Sequence, residues 1–137
     1  MATHLADTSA LGRLHHDDVA ARVDAMFLGG RIATCAIIDL EVLRAVRNRD
    51  EHGEVWFERQ LLPRAPIVEA TTDRAIEVQG QLCALGRHRG VPITDVIIAA
   101  AAELAGLTVL HYDHDFDLIA EVTGQPTEWV VPRGTVP

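Results

Sequence analysis

The run Val91-Pro92-Ile93-Thr94-Asp95-Val96-Ile97-Ile98-Ala99-Ala100-Ala101-Ala102-Glu103-Leu104-Ala105-Gly106 limits the possible folds more than any other part of the chain. From Val96 to Ala102 no side chain is polar, so a helix here is apolar all round and must lie inside the protein. Thr94 is the expected N-cap, which puts Asp95 at the first helical position. Gly106 stops the helix, Thr108 to Tyr112 follows as a short buried strand, and Asp113-His114-Asp115-Phe116-Asp117 ends it with three acids. Dipole complementation alone gives Asp95 a stabilising role of ~0.3–1 kcal/mol. A helix start that is itself buried, and that carries its own anion, has a further need that a cation would meet.

The rest of the chain repeats this pattern of elements ending in acid. Thr3 to Ala6 reads as a first strand whose end presents Asp7 and Ser9, although Asp7 also suits a plain N-cap. His16 to Leu28 has helical spacing and stops at Gly29-Gly30, with Asp17, Asp18 and Asp24 on a solvated face and His15 and His16 at the surface. Arg31 to Ile37 is a second strand, running into an apolar helix over 38–47 that carries Glu41. That glutamate either pairs with Arg44 at i+3 or meets a cation. A helix over 50–62 closes at Pro63, and Ile67 to Ala70 is a third strand. Thr71-Thr72-Asp73 then caps a long helix through Arg89, with Ile76, Gln79, Gly80, Leu82, Cys83 and Leu85 inward. A last helix over 117–122, a strand over 128–131 and a frayed tail over 133–137 complete the chain. Strands alternate with helices and no hairpin signal appears. The expectation is a single α/β domain over 1–137, with a mainly parallel sheet of about five strands and helices on both faces.

Composition removes several function classes. The formal net charge is −8, which disfavours nucleic acid as a partner unless bound cations offset it. All 12 basic residues are arginine. Without lysine the chain can be neither a P-loop nucleotidase nor a Schiff-base enzyme, whereas arginine still binds phosphate in bidentate fashion. No apolar run approaches the ~20 residues that span a bilayer, and Met1 to Asp7 has neither a basic nor an apolar signal region. Cys35 and Cys83 form no CxxC and are expected to be buried free thiols in a cytoplasmic protein.

Asp7, Glu41, Asp95 and the Asp113/Asp115 pair therefore each stand at an element end, or on an apolar helix near one. Open parallel sheets place their ligands at the C-terminal rim of the strands, so these acids are expected to converge there. Two carboxylates ~4 Å apart repel by about 4 kcal/mol at an effective dielectric of 20. Several together require raised pKa values or a cation. Hard oxygen donors without thiolate select Mg²⁺ or Mn²⁺, and His111 and His114 lack the further ligands a zinc site needs.

The segments Leu5-Ala6-Asp7-Thr8-Ser9, Ile38-Asp39-Leu40-Glu41-Val42, Pro92-Ile93-Thr94-Asp95-Val96-Ile97-Ile98 and Val109-Leu110-His111-Tyr112-Asp113-His114-Asp115-Phe116 also carry a family likeness. In this order, over nearly the whole chain, they resemble the PIN-domain ribonucleases of VapC type, toxins of type II toxin–antitoxin pairs. The resemblance implies a metal- and magnesium-dependent endoribonuclease, with Mn²⁺ as a substitute. Its catalytic residues would be Asp7, Glu41, Asp95 and Asp113, which with Asp115 would hold the metal. Ser9 or Thr8 would support the site, and His111 stands where the family often has threonine or serine. Arg13, Arg44 and Arg47 are candidates for RNA phosphate contact. The resemblance further implies a homodimer, a VapB-type antitoxin that blocks the site, and an RNA substrate such as tRNA or rRNA. Two rival readings share the rim: a metal-dependent phosphatase or DNA nuclease, and a non-catalytic protein-binding module.

Overall fold

The computed structural model, which describes residues 1–137, has four strands separated by seven helices, four of them in succession between the second and third strands. They are β1 (His4–Ala6), α1 (Thr8–Leu11), α2 (Asp17–Leu28), β2 (Ile32–Ala33), α3 (Ala36–Arg44), α4 (Arg49–Gln60), α5 (Glu69–Ala84), α6 (Ile93–Leu104), β3 (Thr108–His111), α7 (Asp115–Thr123) and β4 (Thr127–Trp129). The sheet is parallel throughout in the order β2-β1-β3-β4, so β1 and β3 lie at its centre. His4, Leu5 and Ala6 pair with Thr108, Val109 and Leu110, which sets the ends of β1 and β3 side by side. Asp7 follows one end and Asp113 the other.

Strand pleating divides the core in two. Leu5, Ala33 and Val109 point to a 19-residue cluster that contains Ile38, Leu82, Ile98 and Phe116 from the surrounding helices. Ala6, Ile32 and Leu110 point to a smaller one, closed by Val19 and Val23 of α2. Val96 and the run Ile98 to Ala102 are all buried, as an all-apolar helix requires. At its end Gly106 takes φ +70°, and the amide of Leu107 donates to Ala102 O at 2.9 Å. That paired closure needs the left-handed conformation only glycine enters freely, and it aims the chain straight into β3.

The sheet has four strands, not about five. Ile67 to Ala70 is not a strand, because the Thr71 hydroxyl accepts from the Val68 amide at 3.1 Å and starts α5 at Glu69. Just before that segment, Arg64 makes only an isolated parallel bridge with Thr34. The bridge also shortens β2, since the Thr34 amide turns away to Pro63 O at 2.9 Å. The inward stripe of α5 is Thr71, Ala75, Val78 and Leu82, so Ile76, Leu85 and Cys83 are exposed, and only Cys35 is a buried thiol.

A buried ion network absent from the sequence reading fastens α3 to α4. Arg59 Nε donates to Asp39 Oδ1 at 2.9 Å, its Nη2 donates to Thr34 Oγ1 at 2.6 Å, and Arg64 donates to Asp39 Oδ2. Asp39 is 3% exposed and Arg59 8%. Breaking such a pair strands a charge, whereas replacing both members with apolar groups need not destabilise. Arg59→Met should cost about 2–3 kcal/mol in a denaturant titration, less than full isolation because Arg64 stays. The double variant D39L/R59M should recover part of that loss. A double variant weaker than the single one would contradict this account.

Candidate metal centre at the strand rim

Asp7 leaves β1 as the N-cap of α1, and its Oδ2 accepts the Ser9 amide at 3.0 Å. The capping role is real, yet it uses only one oxygen. Oδ1 is buried with no partner, and burial, with Asp113 nearby, raises the Asp7 pKa against the lowering by Ser9. Ser9 Oγ in turn accepts the Tyr112 amide at 2.9 Å, tying the end of β1 to the end of β3.

Glu41 makes no ion pair with Arg44; its Oε1 is buried and unpartnered. Burial and then Asp7 raise its pKa, with the Thr8 hydroxyl opposing. Asp95 stands in the first turn of α6, which begins at Ile93 after Pro92, two residues earlier than Thr94 capping would place it. It is 8% exposed. Its pKa is pushed up to about 8, first by burial and then by Asp7, Asp113, Asp115 and Glu41. Asp113 Oδ1 accepts the Asp115 amide at 2.9 Å, and Asp115 opens α7 with its own pKa raised by burial and Asp113.

Asp95, Asp113 and Asp115 each bring a carboxylate oxygen to within 4.8 Å of one another. Asp7 and Glu41 stand outside that tight triad but share its field, as the order of influences on Asp95 shows. Five carboxylates thus face one rim, four with raised pKa values and two with an orphaned buried oxygen. This donor set fits a hard divalent cation, which would supply the partner that both orphaned oxygens lack.

A family model described as PIN domain matches residues 5–122, which takes in all five acids. The chain belongs to the PIN domain family. Ribonuclease VapC18 of Mycobacterium tuberculosis is 41% identical over 132 residues, covering 95% of this chain and 96% of that protein. Ribonuclease VapC51 of the same organism is 43% identical over 136 residues, covering 97% and 96%. In the crystal structure of DNA-bound VapBC from Salmonella typhimurium, one chain superposes with a TM-score of 0.76 at 16% identity. The match covers 96% of this chain and 100% of that one, a likeness of fold.

The arginines of this PIN domain are placed unequally. Arg13 Nη1 donates to Ser9 O at 2.7 Å, its Nε donates to Pro137 O at 3.1 Å, and the guanidinium lies 4.4 Å from the Tyr112 ring centroid. Two of its N–H groups are thus engaged within the protein. Tyr112 Oη also donates to Val136 O at 2.7 Å and accepts the Gly134 amide at 2.9 Å. Arg44 is exposed at the end of α3, and the exposed Arg47 beyond it donates to Glu51 at 2.9 Å. Beside Glu41, Thr8 and Arg59 an apolar groove of about 420 Å³ opens, lined also by Leu11, Leu14, Phe27 and Val42. Asp39 and Arg59 went unnoticed in the sequence, where their one signal is a charge on an otherwise inward stripe. No helix is long and apolar enough to cross a membrane.

Proposed function

We propose that the chain is a divalent-metal-dependent endoribonuclease, the toxin of a type II toxin–antitoxin pair, acting in the cytoplasm. The observation that carries this reading is the Asp95–Asp113–Asp115 triad with the unpartnered oxygens of Asp7 and Glu41 beside it. Relatives that match almost end to end are named ribonucleases, which supports RNA as the substrate. Asp7, Glu41, Asp95 and Asp113 would hold Mg²⁺ or Mn²⁺, with Asp115 ligating directly or through water. Held there, such an ion would supply water activation and offset charge on the phosphoryl oxygens. The chain itself supplies orientation: Ser9 locks the β1 and β3 ends together, and the rigid α6 aims Asp95. Arg44, the exposed last residue of the helix of Glu41, and Arg47 just past it would guide the phosphate backbone, with Arg13 buttressing the rim from its place against Tyr112.

The neighbouring apolar groove suits an antitoxin segment of VapB type that ends over the acids, and solved VapBC complexes share this fold. The exposed Ile76 and Ile93, on adjacent α5 and α6, favour a homodimer. Purified protein should cut single-stranded RNA internally with Mg²⁺ or Mn²⁺ and stop when EDTA is added. Cleavage of DNA or phosphate monoesters in place of RNA would move it to another substrate class. RNA cleavage that persists in EDTA would overturn the metal reading.

A further inference from the structure

His111, the last residue of β3, is 0% exposed, a fully enclosed titratable side chain beside the acids. Its ring is held between Phe116 and Trp129, with centroids 5.1 and 5.0 Å away. Trp129 is fixed in turn because its indole N–H donates to the Asp117 carboxylate at 3.2 Å. The imidazole therefore has no freedom to turn. Its one polar contact is that Nδ1 accepts the Asp113 amide N–H at 3.1 Å. An Nδ1 that accepts a backbone proton cannot carry its own, so the ring is the neutral tautomer with its proton on Nε2.

That tautomer leaves Nε2–H buried with no acceptor. A stranded donor of this kind destabilises a fold, and an aliphatic residue would fill the site without it, as Val109 and Leu110 do on the same strand. The fold therefore gains nothing from imidazole here that leucine would not give. What only the imidazole gives is the acceptor for Asp113 N–H. A second bond follows directly, since Asp113 Oδ1 accepts the Asp115 amide at 2.9 Å. The two bonds in series set the path of 111–115 and hence two members of the carboxylate triad.

We propose that His111 is a positioning residue: through Nδ1 it holds the Asp113 backbone, and through Asp113 the Asp115 turn, in the arrangement that a divalent cation requires. Its role is as a fixed acceptor, played by a ring whose rotation is blocked by Phe116 and Trp129. Partners that orient ligands typically matter ten- to hundredfold in metal affinity.

The inference rests on the acid cluster being a cation site, so its test separates the two. Asparagine places Oδ1 where Nδ1 now lies and can accept the same N–H, whereas leucine fills the space without an acceptor. Mn²⁺ affinity from thermal-shift titration should fall about tenfold or more in H111L and stay closer to wild type in H111N. Stability without metal should run the other way, because leucine repacks between the rings and asparagine leaves a gap. A purely structural role would make both orders the same. Hydrogen exchange at the Asp113 amide, read by NMR in metal-free protein, should show protection in wild type and H111N and its loss in H111L. An unprotected Asp113 amide in the wild type, or equal Mn²⁺ affinity in H111L and H111N, would overturn the proposal. If wild-type protein binds no Mn²⁺, the cation reading falls, and the amide pattern alone decides whether His111 holds Asp113.

Discussion

Asp95→Asn will separate activity from stability, lowering RNA cleavage by more than about 100-fold while raising the melting temperature of the metal-free protein. The activity loss follows from replacing a proposed ligand by an amide of the same shape; even partners one shell out typically matter 10- to 100-fold. The stability gain follows from the cost of the native carboxylate. In the unfolded chain Asp95 ionises at its ordinary value of 3.8, whereas in the fold its pKa is about 8. At pH 7 folding must therefore bring a proton to Asp95, at ~1.4 kcal/mol for each pH unit above the unfolded value. Asparagine has no charge to neutralise, so it should regain on the order of 2 kcal/mol of that cost. For a domain of this size such a gain moves the melting temperature up by ~5 °C or more. Cleavage and calorimetry in EDTA-treated protein check the two halves. Wild-type cleavage by the variant would remove Asp95 from the site, and a lower metal-free melting temperature would show that its charge is no burden.

The opposed signs have a structural source, and it explains how much could be read from the chain directly. Asp95, Asp113 and Asp115 were legible because each sits where a strongly marked element changes: an all-apolar helix, a glycine stop, a buried strand. Asp7 and Glu41 were legible as candidates only, since an N-cap and an i+3 ion pair explain them equally well in one dimension. Three dimensions separate those alternatives. Asp7 does cap α1 but keeps a free buried oxygen, and Glu41 never meets Arg44. The fifth strand failed because Ile67-Val68-Glu69-Ala70 has strand-like residues, while one hydroxyl bond from Thr71 commits the segment to helix. The α5 face is ambiguous in sequence because Ile76 and Leu85 are large and apolar yet exposed, and their stripe competes with that of Ala75, Val78 and Leu82. Asp39 and Arg59 each carry a sequence signal, a charge on an inward stripe, but nothing in one dimension pairs them. Their pairing spans 20 residues and depends on how α4 returns across α3.

Added Mn²⁺ should raise the melting temperature, and the rise should grow as pH increases from 7 to 9. Asp7, Glu41, Asp95 and Asp115 all have raised pKa values in the fold. A raised acid adds stability that is complete below its unfolded pKa and is lost as pH climbs through the folded value, here up to about 8 for Asp95. Three other groups could blur this trend, and their windows lie elsewhere. His111 and Glu128 are depressed, so their contributions are present above 6.5 and 4.5 and fade only as pH falls. The Cys35 thiol is raised from 9.0 by burial, so it begins to cost only above that. Between pH 7 and 9 the carboxylates therefore dominate, and metal-free protein should lose stability across that span. Metal acts in the opposite direction, because it binds carboxylates after they release protons. At a free Mn²⁺ concentration 100 times its dissociation constant, native-state binding adds about 2.7 kcal/mol. That corresponds to a rise of ~8–10 °C in this size range. The difference between Mn²⁺ and EDTA melting temperatures should thus widen with pH, and in Asp95→Asn it should be smaller and widen less, because only Asp7, Glu41 and Asp115 remain raised. A difference that shrinks from pH 7 to 9 would mean that the rim carboxylates do not bind the ion, because only groups that must lose a proton to bind can produce the widening.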